Sequence, residues 1–532
     1  MKKILSAICV FSISYSSFSQ GVLDSDFASG GEFVFLNNAE FATNVFDMVI
    51  QDDQKILLCG DNYVSEDLSA GFLMRLNSNG TPDNEFGDAG VARYASDAFS
   101  SAGFIGARLL DNDEIITMGA LQIKGNQTNI YFTRFASDGQ LIGELNGGAP
   151  SVVISANAYS HRFERSPQGK LILIYNLNPY QMSFPIAGDV YIHRFNSDGS
   201  PDLDFGVNGV LVFGEESFDE RAYDMVFNQD EELFISGYRR DAASFSATAK
   251  AMVVAIDAGG DLISSFGSGG VALVAEESAN LSANAIDLLP DESMVFAGFR
   301  FSPVDFIQYG ILGKLDANGT GDSDFGPGSN GIVAVPEFSN GEFFDVIALP
   351  GQVVATGRAN GADYDVILVS RDLQGQPTAG FGTDGNAALW DLDGGDDEPV
   401  RLLRDGSDLI ICGRSVIGGG GNEELSDPHQ VIRGGTQISN EVSFVLRYSN
   451  SFQTSITENL SSEMSVYPNP ANNKVMLWCM TQFPVDLLDV SGKLITSVLP
   501  KPFVVFELDI SNLASGVYFI RQGDNSTRLV VE

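Results

Sequence analysis

Histidine, tryptophan, cysteine and basic residues are all scarce in this 532-residue chain, at 3, 2, 4 and 30. The histidines, His161, His193 and His429, show no metal-ligand spacing to one another or to a cysteine. His193 falls in a predicted strand beside Tyr191 and Ile192 and reads as structural. HExxH, GxSxG, Walker-type loops and dinucleotide fingerprints are absent. Beyond the N-terminal segment only Cys59, Cys412 and Cys479 remain, an odd count that fits no disulfide framework. The 30 basic residues face 70 acidic ones, for a net charge of −40. Such a chain repels nucleic acids and anionic membrane surfaces. No run approaches eighteen apolar residues, which excludes a transmembrane helix. No helical stripe exceeds two turns beyond the first residues.

What the chain does have is a phrase repeated about every sixty residues. It reads DSDFASGG at 24–31, DNEFGDAG at 83–90, DLDFGVNG at 202–209, SSFGSGG at 264–270, DSDFGPGSNG at 322–331 and AGFGTDG at 379–385. A worn copy, GELNGGAP, fills 143–150. The landmarks Phe27, Phe86, Leu145, Phe205, Phe266, Phe325 and Phe381 are 56–61 residues apart. A fixed period of this size predicts a ring or stack of copies. Each copy continues with a short apolar run, then a hairpin signature such as DMVIQDDQKILLCG at 47–60 or DMVFNQDEELFISG at 224–237, then a fourth run closed by a Gly turn. The runs are rich in Val, Ile, Phe and Leu and too short for helices. Four short strands per unit cannot bury both faces of one sheet. Seven units packed around an axis can. The expected fold is therefore all-β: a seven-bladed β-propeller over residues 20–450, with a β-solenoid as the structural alternative. Gly in the phrase supplies a turn with positive φ, and Phe anchors that turn on the core. Both read as scaffold.

The phrase RLNSNGTPDNEFGDAG (75–90), repeated as RFNSDGSPDLDFGVNG (194–209) and followed by the hairpin signature, resembles the delta-60 repeat of bacterial β-propeller-like proteins. That resemblance covers about four fifths of the chain and implies no defined activity.

The two ends carry an address. Met1-Lys2-Lys3 precedes an apolar stretch from Ile4 to Ile13, then small residues. This reads as a signal peptide over 1–19, cut between Ser19 and Gln20. Cys9 lies inside the apolar core rather than after it, so it does not read as a lipid anchor. Residues 451–464 are Ser/Thr/Asn-rich and read as a linker. From 465 to 532, six short strands without the phrase suggest a small Ig-like β-sandwich. VYPNPANNKV (466–475), LLDVSGKLI (487–495), LASGVYFIR (513–521) and TRLVVE (527–532) resemble the type A sorting domain of the bacterial type IX secretion system. The motif residues are Pro468, Asn469, Pro470, Gly492, Gly516 and Tyr518. The resemblance implies passage through the periplasm and across the outer membrane by the type IX machinery, then release or attachment at the cell surface.

Dispersed acids suit a soluble secreted surface, or cation binding at a few loops. DLDGGDDE (391–398) gathers Asp391, Asp393, Asp396 and Asp397 around two glycines, the oxygen-rich, flexible setting that calcium favours. Asn, Asp and Gly also serve tight turns without any ion. Cys59 and Cys412 occupy matching positions in the first and last copies, where a disulfide or two packed thiols would both fit. The stretch from Arg414 to Glu441, with four consecutive glycines, is the longest loop expected. The residues support a non-catalytic binding module for a glycan or protein. A secreted carbohydrate- or polymer-active enzyme and a structural surface protein remain open.

Overall fold

The computed structural model describes residues 20–449 except 36–42, 66–67, 95–100, 124–126, 146–150, 156–157, 178–187, 243–246, 277, 329, 361–362, 393 and 417–440. In the tail it describes 464–467, 473–479, 484–489, 493–499, 505–522 and 525–531. The signal segment, the linker, most of the long glycine-bearing loop, and Pro468, Asn469, Pro470 and Gly492 of the sorting motif lie outside these residues. Every described regular element is a strand. The chain divides into two compact units, Met1–Phe452 and Gln453–Glu532.

In the first unit the strands fall into seven antiparallel groups. Their inner strands are Thr43–Ile50, Ser101–Leu109, Ala158–Arg165, Phe218–Phe227, Asn280–Leu288, Glu342–Leu349 and Asp397–Asp405. Each inner strand packs on the next, and the seventh packs on the first. The first two groups also touch at one parallel pair, Ser69 with Ser101. The sixth group has three regular strands, and Asn386–Trp390 runs along the third through bridges to Val369 and Val366.

The core is distributed over the seams between groups. Seven buried apolar clusters are each shared by two neighbours. One joins Val45, Ile56 and Phe72 of the first group to Ile410, Cys412 and Val445 of the last. This is how sheets too small to cover themselves bury both faces. Cys59 and Cys412 sit in these clusters as free thiols, both fully buried. Burial pushes both thiols well up, so they remain protonated.

One detail of assembly departs from a simple copy-per-blade reading. The apolar run after each phrase belongs to the preceding group. Val91–Tyr94 pairs with Leu68–Leu76, Val271–Val274 with Lys250–Ile256, and Ile332–Val335 with Ile307–Leu315. The same shift takes Val22–Leu23 and Glu32–Phe35 to Glu441–Ser449, the last strand of the ring.

The phrase builds the joints between groups. Phe27, Phe86, Phe205, Phe266, Phe325 and Phe381 are all buried, and Leu145 of the worn copy is half-buried. The guanidinium of Arg75 lies 4.5 Å over Phe86, and that of Arg194 lies 4.5 Å over Phe205. Each pairs with the aspartate of its own phrase, Asp83 or Asp202. Gly87, Gly206 and Gly267 hold φ of 55°, 53° and 52°, as the turn requires. A Cβ on Gly206 would stand 2.4 Å from the Val210 carbonyl oxygen.

The second unit has a three-stranded sheet, Met464–Tyr467, Lys474–Cys479 and Val505–Asp509. It also has a four-stranded sheet, ordered Leu494–Val498, Val485–Leu488, Gly516–Gln522 and Asn525–Val531. Val475, Leu477, Leu487, Leu508, Ile520 and Leu529 from both sheets form one core. The first of these strands begins at Met464, a residue the composition assigned to the linker.

Candidate functional site

The axis of the ring is filled with charge. A register bulge interrupts each inner strand, and in five of the seven the residue after it is charged. The axial residues are Asp47, Arg162, Asp224, Asp345 and Arg401, with Arg108, Glu164 and Asp287 two positions further along their strands. Arg401 is the hub. Its guanidinium is 3.6 Å from Asp47, 3.8 Å from Asp345, 3.9 Å from Asp224 and 3.9 Å from Glu164, carboxylates on four different inner strands. Arg108 pairs with Asp47 and with Glu164.

The acids also stitch neighbouring inner strands. Asp224 Oδ2 accepts from the Ile286 amide at 3.2 Å, Asp287 Oδ2 from Ala348 at 2.8 Å, and Asp345 Oδ2 from Leu402 at 2.6 Å. Five carboxyls share three guanidiniums, and their protonation follows from position. Burial raises the Asp47 carboxyl, but Arg108 and Arg401 outweigh it and hold it below the usual range. Burial wins at Asp287, pushed up to about 7, and at Asp345, raised to about 6 against the pull of Arg401. The space left between Asp47, Arg108, Arg162, Glu164, Asp224 and Arg401 is about 10 Å³, the scale of a single water molecule. A substrate does not fit there. These residues close the axis and hold the groups in register.

The start of each inner strand pairs with the end of the second strand, as Asn280 does with Phe301 and Asp397 with Ser415. The turn between second and third strands therefore shares an edge with the entry into the inner strand. On this edge, in the fifth group, Val304 and Phe306 are each 76% exposed. Phe306 holds φ of 59° and sets its ring edge-on to Phe301 at 6.4 Å.

In the sixth and seventh groups the same edge carries acids. One carboxylate oxygen from each of Asp363, Asp365 and Asp391 lies within 4.8 Å of the others. Of the four residues singled out in the sequence, Asp391 belongs to this set. Asp396 Oδ1 accepts from the Tyr364 amide at 3.1 Å, and Asp397 Oδ2 from Leu392 at 2.8 Å. Asp393 lies outside the described residues. Burial, with Asp391 and Asp363 nearby, raises Asp365 to about 6. Burial raises Asp397 to about 8, with Asp391 and Asp365 adding to it against hydrogen bonds from Ser415 and Leu392. Asp363 and Asp365 were not singled out in the sequence, because they flank Tyr364 alone, far from the acid-rich stretch.

His193 is a packed strand residue. It stacks on Tyr175, shares a 3.2 Å hydrogen bond with its hydroxyl, and is pushed down to about 4 by burial. In the tail, the Tyr518 hydroxyl donates to the Ala514 carbonyl at 2.8 Å. Gly516 has room for a Cβ, the nearest atom being 3.8 Å away.

Two family models match the chain. Residues 465–532 match the secretion system C-terminal sorting domain, and residues 51–86 match the DUF5122 β-propeller, a domain of unknown function. The chain is thus an all-β propeller protein carrying a secretion system sorting tail. That tail directs it through type IX secretion to the cell surface or the medium. No curated protein matches. Among solved structures, a Dyadobacter fermentans protein of unknown function is 9% identical, covering 79% of this chain and 98% of its own, at a TM-score of 0.38. Drosophila Semaphorin 2a is 8% identical, covering 98% and 99%, at 0.43. A Penicillium chrysogenum α-L-arabinanase complexed with arabinobiose is 10% identical, covering 65% and 98%, at 0.38. Likenesses at this level carry nothing about activity. No helix of the described residues is long and apolar enough to cross a membrane.

Proposed function

We propose that this exported propeller is a non-catalytic binding module for a glycan or protein of the cell's surroundings, engaging it through the edge that carries Phe306. The observation behind this reading is the Val304–Phe306 turn. A phenylalanine 76% exposed at a φ of 59° gains little burial within its own chain and costs about 1 kcal/mol in backbone conformation. Such a residue is useful where a partner covers it. The net charge of −40 directs the choice towards neutral or cationic partners. The charged side chains crowd the described part of the axis, and this reading places the partner on the edges and rims. In this reading residues 1–19 serve as the signal peptide, and the propeller presents its edge at the cell surface or in the medium.

The test is binding of the full chain to a glycan array and to outer-surface protein extracts, beside Phe306→Gly. Glycine removes the ring and relieves the backbone. The variant should melt higher while binding falls at least tenfold. Unchanged binding would contradict the assignment. Raised carboxyls at Asp365 and Asp397 favour the enzymatic alternative, and release of new reducing ends from array-positive glycans would establish it.

A further inference from the structure

The acids on the edge of the sixth and seventh groups have no basic partner among the described residues. Among the described residues, Asp363, Asp365, Asp391 and Asp397 make no ion pair with Lys or Arg. Asp365 is 8% exposed, and its Oδ1 has no hydrogen-bond partner. One oxygen of Asp365 lies within 4.8 Å of carboxylate oxygens of Asp363 and Asp391, and the Asp365 carboxyl also hydrogen-bonds that of Asp363. An unpartnered carboxylate oxygen withdrawn from water is costly, and more so beside like charges. Either a proton or a cation must answer it.

We propose that Asp363, Asp365 and Asp391 hold a calcium ion. Oxygens bound at 2.3–2.6 Å to a common centre lie no more than about 5 Å apart, the spread these three show. The donor set is all oxygen, with neither nitrogen nor sulfur, which suits a hard cation and not zinc or copper. Asp391 is exposed, so waters can complete a shell of six to eight ligands. Magnesium demands stricter geometry and shorter bonds, and a loop-borne site favours it less. The loop is already shaped for this. Asp391 Oδ1 accepts from the Gly394 amide at 2.9 Å, and Gly394 holds φ of 68°.

The ion would tie the turn of the sixth group to the connection entering the seventh. That connection begins at Trp390, whose ring packs 4.4 Å from Phe444 and whose Nε1 donates to Glu32 Oε2 at 2.9 Å. Glu32 belongs to the strand that closes the ring. Calcium at this place stiffens the closing seam. The inference stands apart from the binding reading, because it concerns an ion and the ring's stability rather than a surface partner.

The experiment uses the full chain freed of divalent ions by chelation. Terbium is added first, since Trp390 and Tyr364 lie beside the ligands and can sensitise its emission, and calcium is then titrated against it. Calorimetry with calcium alone gives the affinity. The expected result is one site with a Kd on the order of 10⁻⁴–10⁻³ M, the range of extracellular modules. Calcium should also raise the unfolding midpoint. Asp365→Asn and Asp391→Asn should each weaken binding at least tenfold and abolish the rise. The second variant changes an exposed residue and guards against misfolding of the first. No calcium heat and no shift in the midpoint overturns the site. So does a midpoint that responds to acid and ignores calcium, which assigns a shared proton to the cluster. Binding that survives in both variants places the ion elsewhere and overturns it too.

Discussion

The Gly382 amide donates to the Gln20 carbonyl at 2.7 Å, joining the last phrase of the ring to its first described residue. The same bond recurs at every described joint. Ala28 donates to Asn79, Gly87 to Asp138, Gly206 to Gly259, Gly267 to Asn318 and Gly326 to Gln374. Ring closure therefore uses the ordinary joint, with residues from the two ends of the unit. Arg447 repeats the role of Arg75, pairing with Asp24, lying over Phe27 and donating to the Ser78 carbonyl at 2.8 Å. Deleting residues 20–35 should open the ring. Loss of the buried Phe27 alone is worth about 3–5 kcal/mol. Thermal unfolding should move to lower temperature and broaden, and a synthetic 20–35 peptide should restore part of the loss. An unchanged transition would mean that the strand is decorative.

The turn glycines and Ala28 give opposite predictions. Gly206→Ala places a Cβ 2.4 Å from the Val210 carbonyl oxygen at a φ of 53° and should cost at least 2 kcal/mol, on the order set by left-handed strain plus the clash. Ala28 fills the equivalent position of the first phrase at a φ of 44°. Ala28→Gly should stabilise by about 1 kcal/mol. Denaturant midpoints of the two variants, measured side by side, check both signs.

The axial charges predict how stability varies with pH. Asp287 and Asp345 have folded values of about 7 and about 6, above the ordinary 3.8. Below about pH 4 both states are protonated and the two groups cost nothing. Their cost appears as pH rises past 4, and it is complete above about 7, so stability should fall across that window. Asp287→Asn keeps one acceptor and removes the charge. It should gain on the order of 2 kcal/mol over the wild type at pH 8, and the gain should vanish near pH 4. Chemical denaturation from pH 4 to 8 reads this directly. Arg401→Met strands the carboxylates it serves and should destabilise by about 3–5 kcal/mol at neutral pH. If Arg401→Met matches the wild type, the axial network is not holding the ring.

The sorting tail predicts location without affecting the ring. Removing 465–532 should leave unfolding of the first unit unchanged and should abolish appearance at the cell surface or in the medium. Fractionation of cells expressing each form checks it. Surface delivery of the shortened chain would contradict the role of the tail.

The fold was legible in the sequence because the joints are made of residue types with few alternatives. Gly at positive φ and a buried Phe recur in most copies, and hairpin signatures between them mark the strands. The shift of each first strand onto the preceding group was not legible, because it depends on which edge is free and not on which residues are apolar. The axial site was visible in part. Asp47 and Asp224 open the hairpin signatures DMVIQ and DMVFN, a charge where an inner strand should be apolar. Nothing in a single strand says that such positions from different strands meet on one axis. Arg401, the hub, precedes two leucines and looks like an ordinary strand-edge charge. The acid cluster was half legible. Asp391 lies in an obvious oxygen-rich loop, whereas Asp363 and Asp365 are 26–28 residues away in sequence and are brought beside it by the Val366–Trp390 bridge of the sixth group.

The most direct test of the account is binding by the full chain and by Phe306→Gly, measured on the same glycan array and surface extract. Specific binding by the wild type, lost in a variant that folds and melts higher, is the predicted result. Binding unaffected by Phe306→Gly, or no binding by the wild type to either class, would contradict the claim that this propeller works through that edge.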